Sequence, residues 1–268
     1  MAMLCCSCTS KDSDSNYQIS EDEHVWMQRF FEFLLFSEEG AYTLHGSKPM
    51  TRFEVSFYSH DELLEIHRGL EKESIVVNNY DFPENWEKWE SIQSKFVTPR
   101  FILISKQDKE YEKLSHVFFI NVLEAVLVIQ ENYDLFKTVL GYDFEPIKVV
   151  FEIQNEQSKF WDGVFTHSEL SGLLYGFGYR NSMCFKWKFS EGTPEVFRSL
   201  LCSKFSDCSK CKDFTGRENI ELLGLPVFAS FQESDHVIEK YMEERKKIKK
   251  LYRGKDTVKI AIKHLTNL

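Results

Sequence analysis

Six of the seven cysteines stand in two tight clusters, and a thiol is the side chain best able to carry a lipid or to hold a soft metal. Cys5, Cys6 and Cys8 fall in the opening MAMLCCSCTS, ahead of a stretch rich in Ser, Asp and Asn. Adjacent cysteines before a polar tether suit S-acylation, because one acyl chain anchors only marginally whereas two anchor stably. A bacterial lipoprotein anchor is the other route. Ser7 fits the position before a lipidated Cys8, but the apolar segment such a precursor carries upstream is missing. Cys202, Cys208 and Cys211 form a C-x5-C-x2-C run in a loop rich in Lys, Ser and Asp. Zinc needs four ligands, and no second C-x2-C pair or nearby His completes this set, so His236 or Cys184 would have to fold in from a distance. Free thiols in a polar loop are the plainer reading.

Two glycine-bearing segments come next. Residues 38–50 (EEGAYTLHGSKPM) contain Gly40, Gly46 and Lys48, and residues 171–182 (SGLLYGFGYRNS) contain Gly172, Gly176 and Gly178. Neither has the glycine order of a phosphate loop, which must converge backbone amides at a helix start. They read as sites of close packing and helix ending, with a ligand pocket between the two segments as the functional alternative. Glu124, inside an apolar stretch, and His167, near a helix start, are the least ordinary polar positions and stand as pocket candidates beside the bland reading of satisfied structural groups. No H-E-x-x-H, G-x-S-x-G or other nucleophile signature is present, so the pattern names no catalytic residue. The last constellation is a basic amphipathic stretch, EKYMEERKKIKKLYRG, which suits either a solvated helix face or an anionic lipid surface.

These residues need a fold to position them. An apolar share of 43% with 24 Phe among 268 residues exceeds what a disordered chain carries, and 28% charge supplies a polar surface. The net charge of -9 sets the chain as a whole against nucleic acid phosphates, so no nucleic acid partner is expected. The longest apolar run, His116 to Gln130, is shorter than the ~20 residues of a membrane span and reads as a buried core helix. No secretory signal is visible, which predicts synthesis in the cytosol with any membrane association supplied by lipid.

Along the chain, residues 1–19 read as a flexible Cys- and Ser-rich tail and residues 20–268 as one compact unit, with a candidate sub-boundary near 141–147. Ser20 and Glu23 have capping-box spacing and open a Phe-rich helix to about Phe36. Residues 38–50 break it, and Arg52 to Tyr58 alternates like a strand. Helices follow from a second capping box at Ser59 and Glu62 to about Leu70, and over Glu84 to Phe96. Phe101 to Ser105 is a short strand. Tyr111 to Leu140 reads as the long central helix, bent near Asn132 and stopped by Gly141. Lys148 to Gln154 suits a strand or a helix start, and Thr166 with Glu169 makes a third capping box for a helix over Ser168 to Phe177. Thr193 and Pro194 open a helix through Leu201. Leu222 to Phe231 is a buried extended segment, and Asp235 to Leu268 a helix pair broken at Gly254. The class is α+β, predominantly helical, with a long central helix, a few short strands and a C-terminal helix pair.

FEFLLFSEEGAYTLHGSKPMT, SGLLYGFGYRNSMCFKW and LPVFASF, in that order before a charged final helix, resemble segments of an uncharacterised family of chlamydia-like and other intracellular bacteria. The resemblance spans about 50 residues and implies a bacterial origin, which favours the lipoprotein or envelope reading of the cysteine start. It carries no assigned activity and therefore no site residue. Three functional readings are open. The leading one is a membrane-tethered, non-enzymatic protein that binds a protein partner, touching the membrane through the N-terminal cysteines and the basic C-terminal helix, with no cofactor. The second is an enzyme, such as a hydrolase, built around segments 38–50 and 171–182. The third is a zinc-stabilised interaction module.

Overall fold

A computed structural model describes residues 19–58, 62, 82–194, 220–226, 230 and 235–267. The three N-terminal cysteines, the 202–211 cysteine run, nearly all of the helix expected after Ser59, and the helix expected after Pro194 lie outside these residues.

The class is the expected one: among the described residues, eleven α-helices surround a three-stranded antiparallel sheet. The strands are β1 (Met50–Ser56), β2 (Phe101–Gln107) and β3 (Leu114–Asn121), in the order β1-β3-β2. β3 is central, pairing Phe53 with Val117 on one side and Leu103 with Phe119 on the other. Because side chains alternate across a strand, the sheet has two apolar faces. Phe53, Val55, Phe101, Leu103, Val117 and Phe119 join one core, and Met50, Ile102, Phe118 and Ile120 join a second.

Helices cover both faces. α1 (Glu21–Glu32), α2 (Gly40–His45), α3 (Phe82–Ile92) and the C-terminal pair build the first core, which is dominated by aromatic rings. Phe30 stacks on Trp89 at 5.1 Å and on Phe82 at 5.6 Å. α4 (Val122–Glu131), α5 (Tyr133–Leu140), α6 (Pro146–Phe151), α7 (Lys159–Thr166) and α8 (Ser168–Leu174) build the second. Phe144, within the candidate sub-boundary, packs against Phe160 at 5.0 Å, so that stretch is held in the second core. α9 (Gly178–Phe189) follows, and α10 (His236–Tyr252) with α11 (Thr257–Thr266) form the expected C-terminal pair, separated by Gly254 at φ 68°.

The long central helix is corrected. Its first third is the central strand β3, and the remainder is the two helices α4 and α5, which meet at Asn132 and stop at the left-handed Gly141. A strand buried on both faces shows no alternation, so its apolar run merges with that of the helix after it. Asn121 makes the switch: its Oδ1 accepts from the Glu124 amide at 3.3 Å, capping α4, while its Nδ2 donates to the Thr43 carbonyl.

Two further expectations change and one open choice is resolved. Segment 38–50 is no simple break, since α2 lies inside it. Thr166 and Glu169 form no capping box: Thr166 still belongs to α7, its hydroxyl donating to the Asp162 carbonyl, and the Glu169 carboxylate pairs with Lys186. The ambiguous Lys148 to Gln154 is helical, completing α6 and a 3-10 turn. By contrast the capping box of Ser20 and Glu23 is formed.

Candidate functional site

α1 does not stop at Glu32 but runs into a π-helical turn, Phe33–Ser37, closed by the Glu38 amide donating to the Phe33 carbonyl at 3.0 Å. A π turn is rare and often marks a functional site. Glu39 follows in the left-handed region, at φ 61° and ψ 17°, the sole described non-glycine residue at positive φ. For a residue with a Cβ that conformation costs on the order of 1 kcal/mol and must be held by its surroundings. Gly40 supplies part of the hold: a Cβ there would lie 2.5 Å from the Leu34 carbonyl oxygen, so only glycine lets α2 approach the π turn.

This turn forms one wall of a cavity of about 270 Å³. Ser37, Glu38, Glu39, Lys48 and Arg52 line it from the first segment and β1, and Tyr175 and Phe177 close it from the second. The two glycine-bearing segments, more than a hundred residues apart, therefore meet. Gly176 aims the aromatic pair. It sits at φ 79°, its carbonyl accepts from the Tyr241 hydroxyl at 2.9 Å, and a Cβ would fall 2.1 Å from that hydroxyl. Gly46, just before Lys48 in the chain and outside the lining, makes a similar close approach: the Glu244 carboxylate rests against it and accepts from the Ser47 amide and hydroxyl.

The cations of the wall are unequally matched. Lys48 is 7% exposed at its side chain, and its Nζ lies 3.3 Å from the Glu39 carboxylate. Arg52 makes no ion pair with any carboxylate among the described residues. Its Nη2 is 3.2 Å from His116 Nδ1, its Nη1 is 3.5 Å from the Tyr175 hydroxyl, and its guanidinium lies over the Phe165 ring at 5.1 Å. Behind it, His116 Nε2 is 2.8 Å from Asp108 Oδ2. Donation to Asp108 from Nε2 leaves Nδ1 as the acceptor facing Arg52. The Asp108 carboxyl is held below its ordinary range by the Glu110 backbone amide first and by His116 second. The recess is thus lined by two cations, the carboxylates of Glu38 and Glu39, of which Glu39 is paired with Lys48, and a tyrosine hydroxyl, with a flat aromatic side.

The sequence candidates divide. Segments 38–50 and 171–182 are brought together, whereas Glu124 and His167 do not line the cavity. Glu124 is half-buried in the first turn of α4, where burial raises its carboxyl and the nearby Lys240 opposes the shift. His167 is the N-cap residue of α8 and makes no side-chain cap bond. Arg52, Tyr175, Phe177 and His116 were not singled out by spacing. The one signal for Arg52 is its parity on β1, which puts a charge on the same face as the buried Met50.

Among the described residues no cluster of three His, Cys, Asp or Glu could hold a metal, and no helix is long and apolar enough to cross a membrane. Of the distant zinc candidates, Cys184 is buried with its thiol pushed up by that burial, and His236 is exposed. Comparison of the chain with protein-family models, with curated proteins and with solved structures finds no match.

Proposed function

We propose that the protein is a non-enzymatic binding protein whose cavity between residues 37–52 and 175–177 takes a small molecule carrying a carboxylate or phosphate group on a flat apolar body, with Cys5, Cys6 or Cys8 as the membrane tether. The observation that carries the ligand reading is Arg52, a half-buried guanidinium that pairs with no carboxylate among the described residues, on the wall of a recess that also holds Lys48. A guanidinium presents a planar fork that matches carboxylate and phosphate oxygens, and partial desolvation strengthens that match. Tyr175 and Phe177 supply the apolar side, and the volume sits near the lower end of the roughly 300–1,000 Å³ usual for ligand sites, so the guest is small.

An enzyme is the competing reading, favoured by the His116 and Asp108 pair next to the cavity. The described partners of His116 are Arg52, Asp108 and Glu54, none of them a nucleophile it could activate. The pair reads better as the support that aims Arg52.

Titration calorimetry with benzoate and phenyl phosphate tests the ligand reading. Wild-type protein is expected to bind at least one of them, Arg52→Gln to lose that binding, and Arg52→Lys, which keeps the charge without the fork, to bind about tenfold more weakly. Binding unchanged in Arg52→Gln would sink the assignment.

A further inference from the structure

Between Lys246 and Lys263 every exposed residue except Gly254 is a cation: Lys246, Lys247, Lys250, Arg253, Lys255, Lys259 and Lys263. This occurs in a chain of net charge -9. Helical periodicity explains how the run stays one-sided. α10 buries Ile248 and Tyr252, and α11 buries Val258, Ala261, Ile262 and Leu265 into the first core, so the lysines are left on the outside. On α11, Lys259 and Lys263 stand four residues apart on one side of the helix, and Lys255 is exposed in the link just before it.

The carboxylates near this face are already engaged. Glu243 pairs with Lys246, Glu221 with Arg253, and Glu23 with Lys95. Asp256 caps α11 by accepting from the Lys259 amide and pairs with His24 at 3.0 Å. The side chains of Lys247, Lys250, Lys255 and Lys263 make no ion pair or hydrogen bond among the described residues, although Glu243 feels the charge of Lys247 at longer range. Lys247 and Lys250 on α10, Lys255 in the link and Lys263 on α11 leave four lysine heads open to an extended anion.

We propose that the outer face of α10 and α11 docks on an anionic lipid surface. The position of the chain's entry into the fold selects a membrane over other polyanions. Ile19 packs into the first core, and His24 of α1 joins Asp256 at the start of α11, so the chain enters the fold beside this face. Cys8 precedes Ile19 by eleven residues, a reach of at most about 40 Å even when fully extended. An acyl chain there would hold the lysines within working distance of phospholipid headgroups. Each lysine near an anionic surface contributes about fivefold to partitioning.

Vesicle flotation of the full-length, unacylated chain tests the face apart from both the tether and the cavity. The protein is expected to float with vesicles of phosphatidylcholine mixed with phosphatidylglycerol, to stay behind with phosphatidylcholine alone, and to be released by high salt. Replacing Lys247, Lys250, Lys255 and Lys263 together by Gln should weaken partitioning on the order of several hundredfold. Replacing all four by Arg should retain it. Arg52→Gln should float like wild type, which separates failure of this face from failure of the ligand reading. Equal flotation with both vesicle types, no flotation with either, or retention by the quadruple Gln variant would overturn the proposal. So would tighter binding to duplex DNA than to the anionic vesicles.

Discussion

His45 sits on α2 with its Nε2 2.6 Å from the Tyr252 hydroxyl and its Nδ1 buried without a hydrogen-bond partner among the described residues. Burial first, and the neighbouring His264 second, lower its pKa to about 3. The unfolded chain takes up that proton near pH 6.5 while the folded protein does not, so stability falls as pH drops through the window between the two values. The slope from this one group is up to about 1.4 kcal/mol per pH unit. Urea unfolding across that range should show His45→Gln with a shallower acid limb than wild type, and an identical limb would remove His45 as its cause. Gly176 makes a second residue-scale case. Alanine there meets both a positive φ and the Tyr241 hydroxyl, so Gly176→Ala should lower stability by about 2 kcal/mol or more and disturb the Tyr175 and Phe177 wall.

At the scale of elements, the β3 to α4 junction turns on one side chain. Asn121→Ala removes the α4 cap and the bond to Thr43 together, and should cost about 1–2 kcal/mol, read as a lower midpoint in denaturant with an unchanged slope. This junction also shows where the sequence was legible. Helix ends carry local chemistry, so Ser20 with Glu23, Gly141 and Gly254 announced their elements. β3 did not, because burial on both faces erases the alternation that identifies a strand. The π turn and α2 are hidden for a related reason: Gly40 has the look of a helix breaker, whereas its lack of a Cβ is what allows a helix to start that close to Leu34. The glycines thus located both walls of the cavity without revealing its chemistry. Arg52 and Tyr175 meet only because β1 lies beside the end of α8, a contact across 123 positions that no local pattern encodes.

For the whole molecule, the two cores share one sheet, and Phe118 and Phe119 point from the same strand into different ones. Melting followed by far-ultraviolet dichroism and by Trp fluorescence should therefore give one coincident transition. Phe118→Ala and Phe119→Ala should each lower it, by about 3–5 kcal/mol in stability. Two separated transitions would mean that the layers fold as independent units. The same sheet links the cavity to both cores, since β1 carries Arg52 on one face and Phe53 on the other. The claim that matters most is that Arg52 receives an anion. The direct measurement is the Arg52 Nε–H resonance in a nuclear magnetic resonance titration with benzoate and with phenyl phosphate. That resonance is expected to shift saturably, accompanied by shifts at Lys48 and Tyr175. An Arg52 resonance that stays fixed while either compound perturbs signals elsewhere would contradict the claim.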